Sequence, residues 1–87
     1  MELKHTTTEP EFKIIKDNKD EPDLKTAQDF VGGMVEVITF PNGDVLIVNE
    51  EGKLNGLPIN SFATGLYANP NDYIVGNVML IHQSQID

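Results

Sequence analysis

The most informative stretch of the chain is Val45-Leu46-Ile47-Val48-Asn49-Glu50-Glu51-Gly52-Lys53-Leu54-Asn55-Gly56-Leu57-Pro58-Ile59-Asn60. It begins as an apolar, β-branched run, which is typical of a strand, and continues into a polar turn that contains glycine and proline. The strand is apolar at every position from Val45 to Val48, so both of its faces are predicted to be covered, as in the centre of a sheet. The polar part predicts a loop of defined shape that follows this strand.

A second β-rich run precedes this strand, and the two together predict an antiparallel hairpin. The runs are residues 34–40 and residues 44–49, and Pro41-Asn42-Gly43 joins them. Pro41 supplies the fixed φ of a type I turn, and Gly43 supplies the left-handed residue of a bulge.

A short amphipathic helix is predicted before the hairpin. Its apolar face is formed by Leu24, Ala27, Phe30 and Val31. Pro22 suits the first helical position, with Asp20 or Glu21 preceding it. Gly32-Gly33 follows the last apolar position, where a residue that adopts positive φ ends a helix.

The remaining segments predict two strands and a helical turn. Phe12-Lys13-Ile14-Ile15-Lys16 has the content of a short strand, and residues 73–82 form the last strand, with Gly76 as a bulge. Residues 54–60 contain glycine and proline and are predicted to be irregular. Residues 61–67 predict a short helix or helical turn, with Asn60 or Ser61 as its cap.

These elements predict an α+β fold with a small antiparallel sheet and one amphipathic helix. A single domain is expected over residues 12–82. Residues 1–11 form a polar N-terminal segment that is expected either to fray or to add an edge strand, and residues 83–87 form a C-terminal tail. Six glycines are assigned structural roles: Gly32, Gly33, Gly43, Gly52, Gly56 and Gly76.

The composition argues against several classes of function. The 87-residue chain has a formal net charge of −8, with six lysines and no arginine. Arginine is the residue best suited to bidentate phosphate contacts, so nucleic-acid binding is not expected. Cysteine is absent, which excludes disulfides and thiolate metal sites. No apolar run approaches the roughly 20 residues that cross a bilayer, and the start lacks the apolar stretch of a signal peptide, so we expect a soluble cytoplasmic protein without membrane contact.

The residues that carry chemistry do not predict an enzyme. His5 lies in the N-terminal segment and His82 at the end of the last predicted strand, and no serine or threonine is spaced to act with either as a nucleophile and base. Glu50 and Glu51 are adjacent, so in an extended segment they point to opposite sides, which is poor geometry for a shared carboxylate pair. We expect no metal and no other cofactor.

Several short strings occur in an order that resembles a known family. They are Val31-Gly32-Gly33-Met34-Val35-Glu36-Val37, then Val48-Asn49-Glu50-Glu51-Gly52-Lys53-Leu54 with Gly56-Leu57-Pro58 and Asn60, then Ile74-Val75-Gly76. The family consists of small proteins of unknown function carried by bacteriophages and other mobile elements. The resemblance covers residues 24–82 and leaves residues 1–11 outside. It implies a virus-encoded protein that acts in the cytoplasm of a bacterial host, and it implies no activity.

The leading hypothesis is a non-enzymatic accessory protein that binds a host protein and modulates it. The residues expected to contact the partner are Asn49, Glu50, Glu51, Lys53, Asn55 and Asn60. Glu50 and Glu51 carry negative charge and are expected to meet a basic patch. The loop that carries them has a restricted shape, so it is expected to lose little entropy on docking. The competing interpretation is that these residues only close a turn and that Asn60 only caps the helix that follows.

Other functions stay open at this point. The glycine-rich loops could cradle a metabolite or nucleotide, although Lys53 is the single lysine from residue 30 onward, or the protein could be an enzyme subunit without its own active site. A homo-oligomer through Leu57, Phe62 and Tyr67 is also considered. Together with Leu54, Ile59 and Leu66, these side chains are expected to cover one face of the sheet, or some of them stay exposed and form a patch for a partner or a second copy, and both can hold at once.

Overall fold

The computed structural model describes residues 10–16 and 22–82 of the chain. Within these ranges the chain forms four strands and two helices. In chain order they are β1 (Phe12–Ile15), α1 (Leu24–Val31), β2 (Val35–Thr39), β3 (Val45–Asn49), α2 (Ser61–Tyr67) and β4 (Val78–Ile81). Residues 1–9 of the expected N-terminal segment, residues 17–21 and the expected tail at 83–87 lie outside the described residues.

The strands form one sheet in the order β1-β4-β3-β2. The predicted α+β class is confirmed, and β3 lies inside the sheet, as its apolar sequence predicted. The β2–β3 and β3–β4 pairs are antiparallel, whereas β1 runs parallel to β4. The sheet is therefore mixed and not wholly antiparallel. The parallel pairing of β1 with β4 joins opposite ends of the domain, so no turn motif in the sequence predicts it.

The predicted hairpin between β2 and β3 is confirmed at its turn. Phe40 N donates to Asp44 O at 2.8 Å, and Gly43 N donates to Phe40 O at 2.9 Å. Asn42 Oδ1 accepts a further hydrogen bond from Asp44 N at 2.9 Å. Gly43 has a φ of 94°, which glycine adopts without the strain that a β-carbon would cause.

The start of α1 differs from the prediction. The N-cap is Asp23, not Asp20 or Glu21, and its carboxylate accepts from Thr26 N at 2.9 Å. Pro22 consequently precedes the cap and is not the first helical residue. The backbone hydrogen bond from Thr26 holds the pKa of Asp23 below its ordinary value.

The predicted glycine ending of α1 is confirmed. Gly32 has a φ of 86°, and the amides of Gly32 and Gly33 both donate to Gln28 O, at 2.8 and 3.0 Å. These bonds satisfy a carbonyl that the end of a helix would otherwise leave without a partner.

The sheet separates two apolar layers. On one face, a core cluster contains Leu46, Val48, Ala63, Ile74, Val78 and Leu80. Helix α2 supplies Ala63 to this layer. On the other face, α1 buries Ala27 and Val31, and Asn49 Nδ2 donates to Val31 O at 3.1 Å. Because side chains alternate along a strand, the two helices cover opposite faces.

The last strand is shorter than the predicted 73–82, because the chain turns at Gly76. This residue has a φ of 80°, and its amide donates to Pro58 O at 2.8 Å. Just before it, Val75 forms an isolated antiparallel bridge with Ile59. Gly76 therefore separates that bridge from β4 and is not a bulge within a longer strand.

Asn60 joins three segments of the domain. Its Oδ1 accepts from Ala63 N at 3.1 Å, so it is the N-cap of α2, which decides between the two predicted candidates, Asn60 and Ser61. Its Nδ2 donates to Glu11 O at 3.1 Å and to Gly76 O at 2.9 Å. The residue is only 1% exposed. A buried carboxamide is stable only when its donors and acceptor are satisfied, and this one meets that condition within the chain.

We predict that Asn60→Ala destabilises the fold by about 3 kcal/mol, because it removes three hydrogen bonds worth about 1 kcal/mol each. The matched control is Asn55→Ala, at an exposed position of the same loop, which should change the free energy of unfolding by less than about 0.5 kcal/mol. Urea unfolding of both variants measures the difference. Equal losses in the two variants would contradict the assigned contacts of Asn60.

We also predict that Gly52→Ala destabilises the fold by about 1 to 3 kcal/mol. A β-carbon at Gly52 would lie 2.6 Å from Val75 Cγ2, and the buried, stiff valine has little room to move. In contrast, a β-carbon at Gly65 of α2 would meet no atom within 4 Å. Gly65→Ala should therefore be neutral or stabilising by up to about 1 kcal/mol. A Gly52→Ala protein that melts like the parent would place Gly52 away from Val75.

Candidate functional site

An open cleft of about 470 Å³ lies on the side of the sheet that packs against α2. It is lined by residues of β2 and β3, by the loop that follows β3 and by the segment that precedes β4. Its apolar lining includes Ile38, Val48 and Ile74. The cleft therefore brings three separate segments of the chain together around an apolar base.

Carboxylates dominate the polar lining of the cleft. Glu36, Glu50 and Glu51 line it, and all three are exposed residues. Glu36 lies on β2 opposite Val48 of β3, so its side chain shares the face of the sheet that Val48 occupies. This surface of Glu36, Glu50 and Glu51 is called the acidic wall below.

The lysine that lines the cleft is engaged within the protein. Lys53 Nζ forms an ion pair with Asp72 Oδ1 and lies 4.6 Å from the centroid of the Tyr73 ring. The hydrogen bond from Lys53 holds the pKa of Asp72 below its ordinary value, and the Tyr73 amide lowers it further. The same hydrogen bond raises the pKa of Lys53. Since Lys53 is committed to Asp72, it does not neutralise the acidic wall.

Asn49 fixes the start of the loop that carries the acidic wall. It is 6% exposed, its Nδ2 donates to Val31 O at 3.1 Å, and its Oδ1 accepts from Glu51 N at 2.8 Å. The Asn49 carbonyl accepts from Gly52 N at 3.2 Å. These bonds form an Asx-type turn, so the buried side chain of Asn49 sets the shape of the loop.

The end of the same loop is held by backbone contacts. Leu57 N donates to Gly52 O at 3.0 Å, and Asn60 N donates to Ile74 O at 2.8 Å. Close packing adds to this, because a β-carbon at Gly76 would lie 2.8 Å from Leu57 Cδ1. The loop is therefore closed on itself and anchored to the segment that precedes β4.

The six residues predicted to contact a partner fall into three groups. Asn49, Glu50, Glu51 and Lys53 all line the cleft. Asn55 is exposed on the loop but does not line the cleft. Asn60 is buried with its carboxamide bonded to its own chain, which corrects its assignment as a contact residue. The buried Asn49 likewise acts through the shape of the loop.

Sequence reasoning missed several residues of the cleft. Glu36 could have been found, because its alternation on β2 places it on the face of Ile38. Tyr67, Asp72 and Tyr73 also line the cleft. The Lys53–Asp72 contact spans 19 positions, and no local pattern connects these two residues.

The three residues considered for homo-oligomerisation contact different neighbours. Leu57 packs beside Gly76, Phe62 makes an edge-on ring contact with Phe12 at 4.6 Å, and Tyr67 packs against the core cluster. Phe62 nevertheless stays exposed. Tyr67 therefore helps to cover one face of the sheet, whereas Phe62 is exposed at the surface.

Among the described residues outside the cleft, titratable side chains form a Lys25–Asp29 ion pair at 3.3 Å on the surface of α1 and a contact between His82 and Asp44. His82 Nδ1 lies 3.0 Å from Asp44 Oδ2, beside an apolar depression lined by Phe40, Leu66 and Leu80. Within residues 10–16 and 22–82, no group of three or more histidine or acidic side chains could hold a metal ion. In the same ranges, neither helix has the length and apolar content that crossing a membrane requires.

The Lys53–Asp72 pair predicts how stability changes with pH. The pKa of Asp72 is lowered from 3.8, so its contribution is present above that pH and is lost as the pH falls through the lowered value. The pKa of Lys53 is raised from 10.5, so its contribution is present below that pH and is lost as the pH rises through the raised value.

Asp72→Asn should therefore lower Tm at neutral pH, but only modestly, because the side chains of Lys53 and Asp72 are both partly exposed. On acidification the Tm of this variant should fall less than the Tm of the parent, because the variant has no carboxylate at position 72 to protonate. Thermal melts across the acid range measure this. Lys53→Met should reproduce part of the effect, since the Tyr73 amide still bonds Asp72. Identical acid profiles for the parent and Asp72→Asn would show that the pair contributes nothing.

Comparison with known proteins gives a family match over nearly the whole chain. Residues 3–86 match the family described as Domain of unknown function (DUF3846). The match is wider than the expected 24–82, and it includes most of the N-terminal segment that was expected to fall outside. Neither a curated protein nor a solved structure shows significant similarity to the chain. The expectation of a family without an assigned function is confirmed: the chain belongs to the DUF3846 family.

Proposed function

We propose that this protein is a non-enzymatic phage-type accessory protein, which binds a host protein through the acidic wall and modulates it in the host cytoplasm. The observation that supports this most is the negative charge of the cleft, where no lysine within residues 10–16 and 22–82 pairs with Glu36, Glu50 or Glu51. Glu36, Glu50 and Glu51 present exposed carboxylates, while Lys53 is paired with Asp72. A basic surface is the partner that such an arrangement attracts, and it gains a faster association rate at low salt.

Apolar groups beside the acidic wall would supply contact area. Leu54 is 81% exposed, and Tyr73 is 43% exposed. Aromatic and aliphatic side chains next to charges are common at the centre of protein interfaces, where they exclude water from the charged contacts. The bonds made by Asn49 and Asn60 hold the loop in shape before any partner arrives, which limits the entropy lost on binding.

The phage origin is proposed from the resemblance of the sequence strings. Nucleic acid is not among the proposed partners, because a chain of charge −8 repels a polyanion. A small-ligand module is the second candidate, since a cleft of about 470 Å³ is within the usual size of such sites. Its carboxylates would favour a cationic ligand and disfavour a nucleotide.

The test is capture of a host protein from lysate by the purified chain, with Glu50→Gln combined with Glu51→Gln as the variant. This variant keeps the shape of both side chains and removes two charges from the acidic wall. The matched control, Glu11→Gln with Asp29→Asn, removes two charges from exposed residues outside the cleft. Mass spectrometry of the captured proteins identifies the partner and measures its recovery.

We expect the acidic-wall variant to lose most of the captured protein while its free energy of unfolding changes by less than about 0.5 kcal/mol. The control should retain capture, and capture by the parent should weaken as salt is raised. Unchanged capture by the acidic-wall variant, or an equal loss in the control, would overturn the proposed function.

A further inference from the structure

Strand β2 forms one edge of the sheet, and its hydrogen-bond pattern shows which backbone groups face outward. Phe40 N donates to Asp44 O, and Glu50 N donates to Met34 O, each at 2.8 Å. In an antiparallel ladder the bonded positions alternate, so Glu36 and Ile38 also bond to β3. The N–H and C=O groups of Val35, Val37 and Thr39 consequently point away from the sheet.

These outward-pointing backbone groups of β2 can form hydrogen bonds with another strand. Within residues 10–16 and 22–82, no segment pairs with the outer side of β2. Edge strands are normally blunted by proline, by a charged side chain, above all lysine, or by a bulge. β2 runs Val-Glu-Val-Ile-Thr, pairs residue for residue with β3, and contains neither proline nor lysine. Its one charged residue, Glu36, disfavours an acidic strand and favours a basic one. By the same reasoning, β1 at the other edge offers only Phe12 and Ile14, with Lys13 between them.

The two faces beside this edge differ in chemistry. On the cleft face, Glu36 lines the same cleft as Glu50 and Glu51. On the face of α1, Val37 is 56% exposed and Met34 is 60% exposed, and the Met34 sulfur accepts from Gln28 Nε2 of α1 at 3.5 Å. A strand added at this edge would place alternate side chains over the acidic wall and over the Val37–Met34 surface.

We propose that the free edge of β2 receives an extended segment of the partner protein as a fifth strand, in which lysine or arginine alternates with apolar residues. The basic side chains lie over the acidic wall, and the apolar side chains cover Val37 and Met34. This proposal rests on the proposed function and adds to it the backbone geometry of the contact.

Charge complementarity decides between occupants of this edge. A second copy of this chain would bring two acidic walls together, with a charge of −8 on each copy. Like charges brought together across an interface disfavour association. A basic segment of another protein is instead attracted by the negative charge of the acidic wall.

The probe is an end-blocked peptide of about seven residues in which lysine and valine alternate, within the usual length of a strand. In antiparallel register, its valine amides bond to Val35, Val37 and Thr39, and its lysine amides point away. The decisive pair of probes carries one backbone N-methyl group, either on the central valine or on the central lysine. Charge and composition are the same in both.

Binding to the intact protein is measured by titration calorimetry at low salt, with amide hydrogen exchange read at Val37 and Ile14. We expect the valine-methylated peptide to bind at least about tenfold more weakly than the parent peptide, and the lysine-methylated peptide to bind within about threefold of it. The parent peptide should slow exchange at Val37 and leave Ile14 unchanged. Sedimentation should show a monomer without peptide.

Three results would overturn the added strand. The first is equal binding of the two methylated peptides. The second is absence of peptide binding while capture of the host protein still depends on Glu50 and Glu51, in which case the proposed function stands without this geometry. The third is a dimer whose Val37 amide is protected without peptide, which would assign the edge to a second copy. Loss of the Glu50 and Glu51 dependence in lysate would instead remove the proposed function itself.

Discussion

The buried carboxamide of Asn60 holds three segments of the domain together. Asn60 is 1% exposed, and its side chain forms hydrogen bonds with Ala63 N, Glu11 O and Gly76 O. A polar group of this kind is costly to bury unless it is satisfied, so the three segments must meet in one arrangement for the domain to close. They are the start of α2, the approach to β1 and the turn before β4. In a domain this small, where the apolar core is limited, such a constraint has a large share in selecting one fold.

A second asparagine sets the other end of the same loop. Asn49 bonds to Val31 O at the end of α1 and to Glu51 N at the start of the loop. Gly33 lies against this side chain, and a β-carbon there would approach Asn49 Nδ2 to 3.1 Å. The acidic wall is thus held by polar groups that face inward, while its carboxylates face outward. Within one loop, the buried Asn49 thus holds the structure, while its neighbours Glu50 and Glu51 are exposed and are the residues proposed to bind.

Local signals in the sequence were sufficient for much of the fold. The Pro41-Asn42-Gly43 turn and the glycine end of α1 depend on contacts within a few residues, and both were predicted correctly. The cap of α2 is equally local, and Asn60 was one of its two predicted candidates. The parallel β1–β4 pair and the short β4 were not predicted, because they depend on pairing between distant segments. The same limit applies to the cleft. Glu50 and Glu51 were found from their loop, whereas Asp72 and Tyr73 enter it through tertiary packing.

The burial of Asn60 is tested most directly by the exchange of its side-chain amide protons with water. Nuclear magnetic resonance of the folded protein resolves these protons from those of Asn55, which is exposed on the same loop. We expect the Asn60 Nδ2 protons to exchange slowly, at rates comparable to the backbone amides of β4, and those of Asn55 to exchange rapidly. Rapid exchange at both residues would show that the carboxamide of Asn60 is open to solvent and does not hold the three segments together.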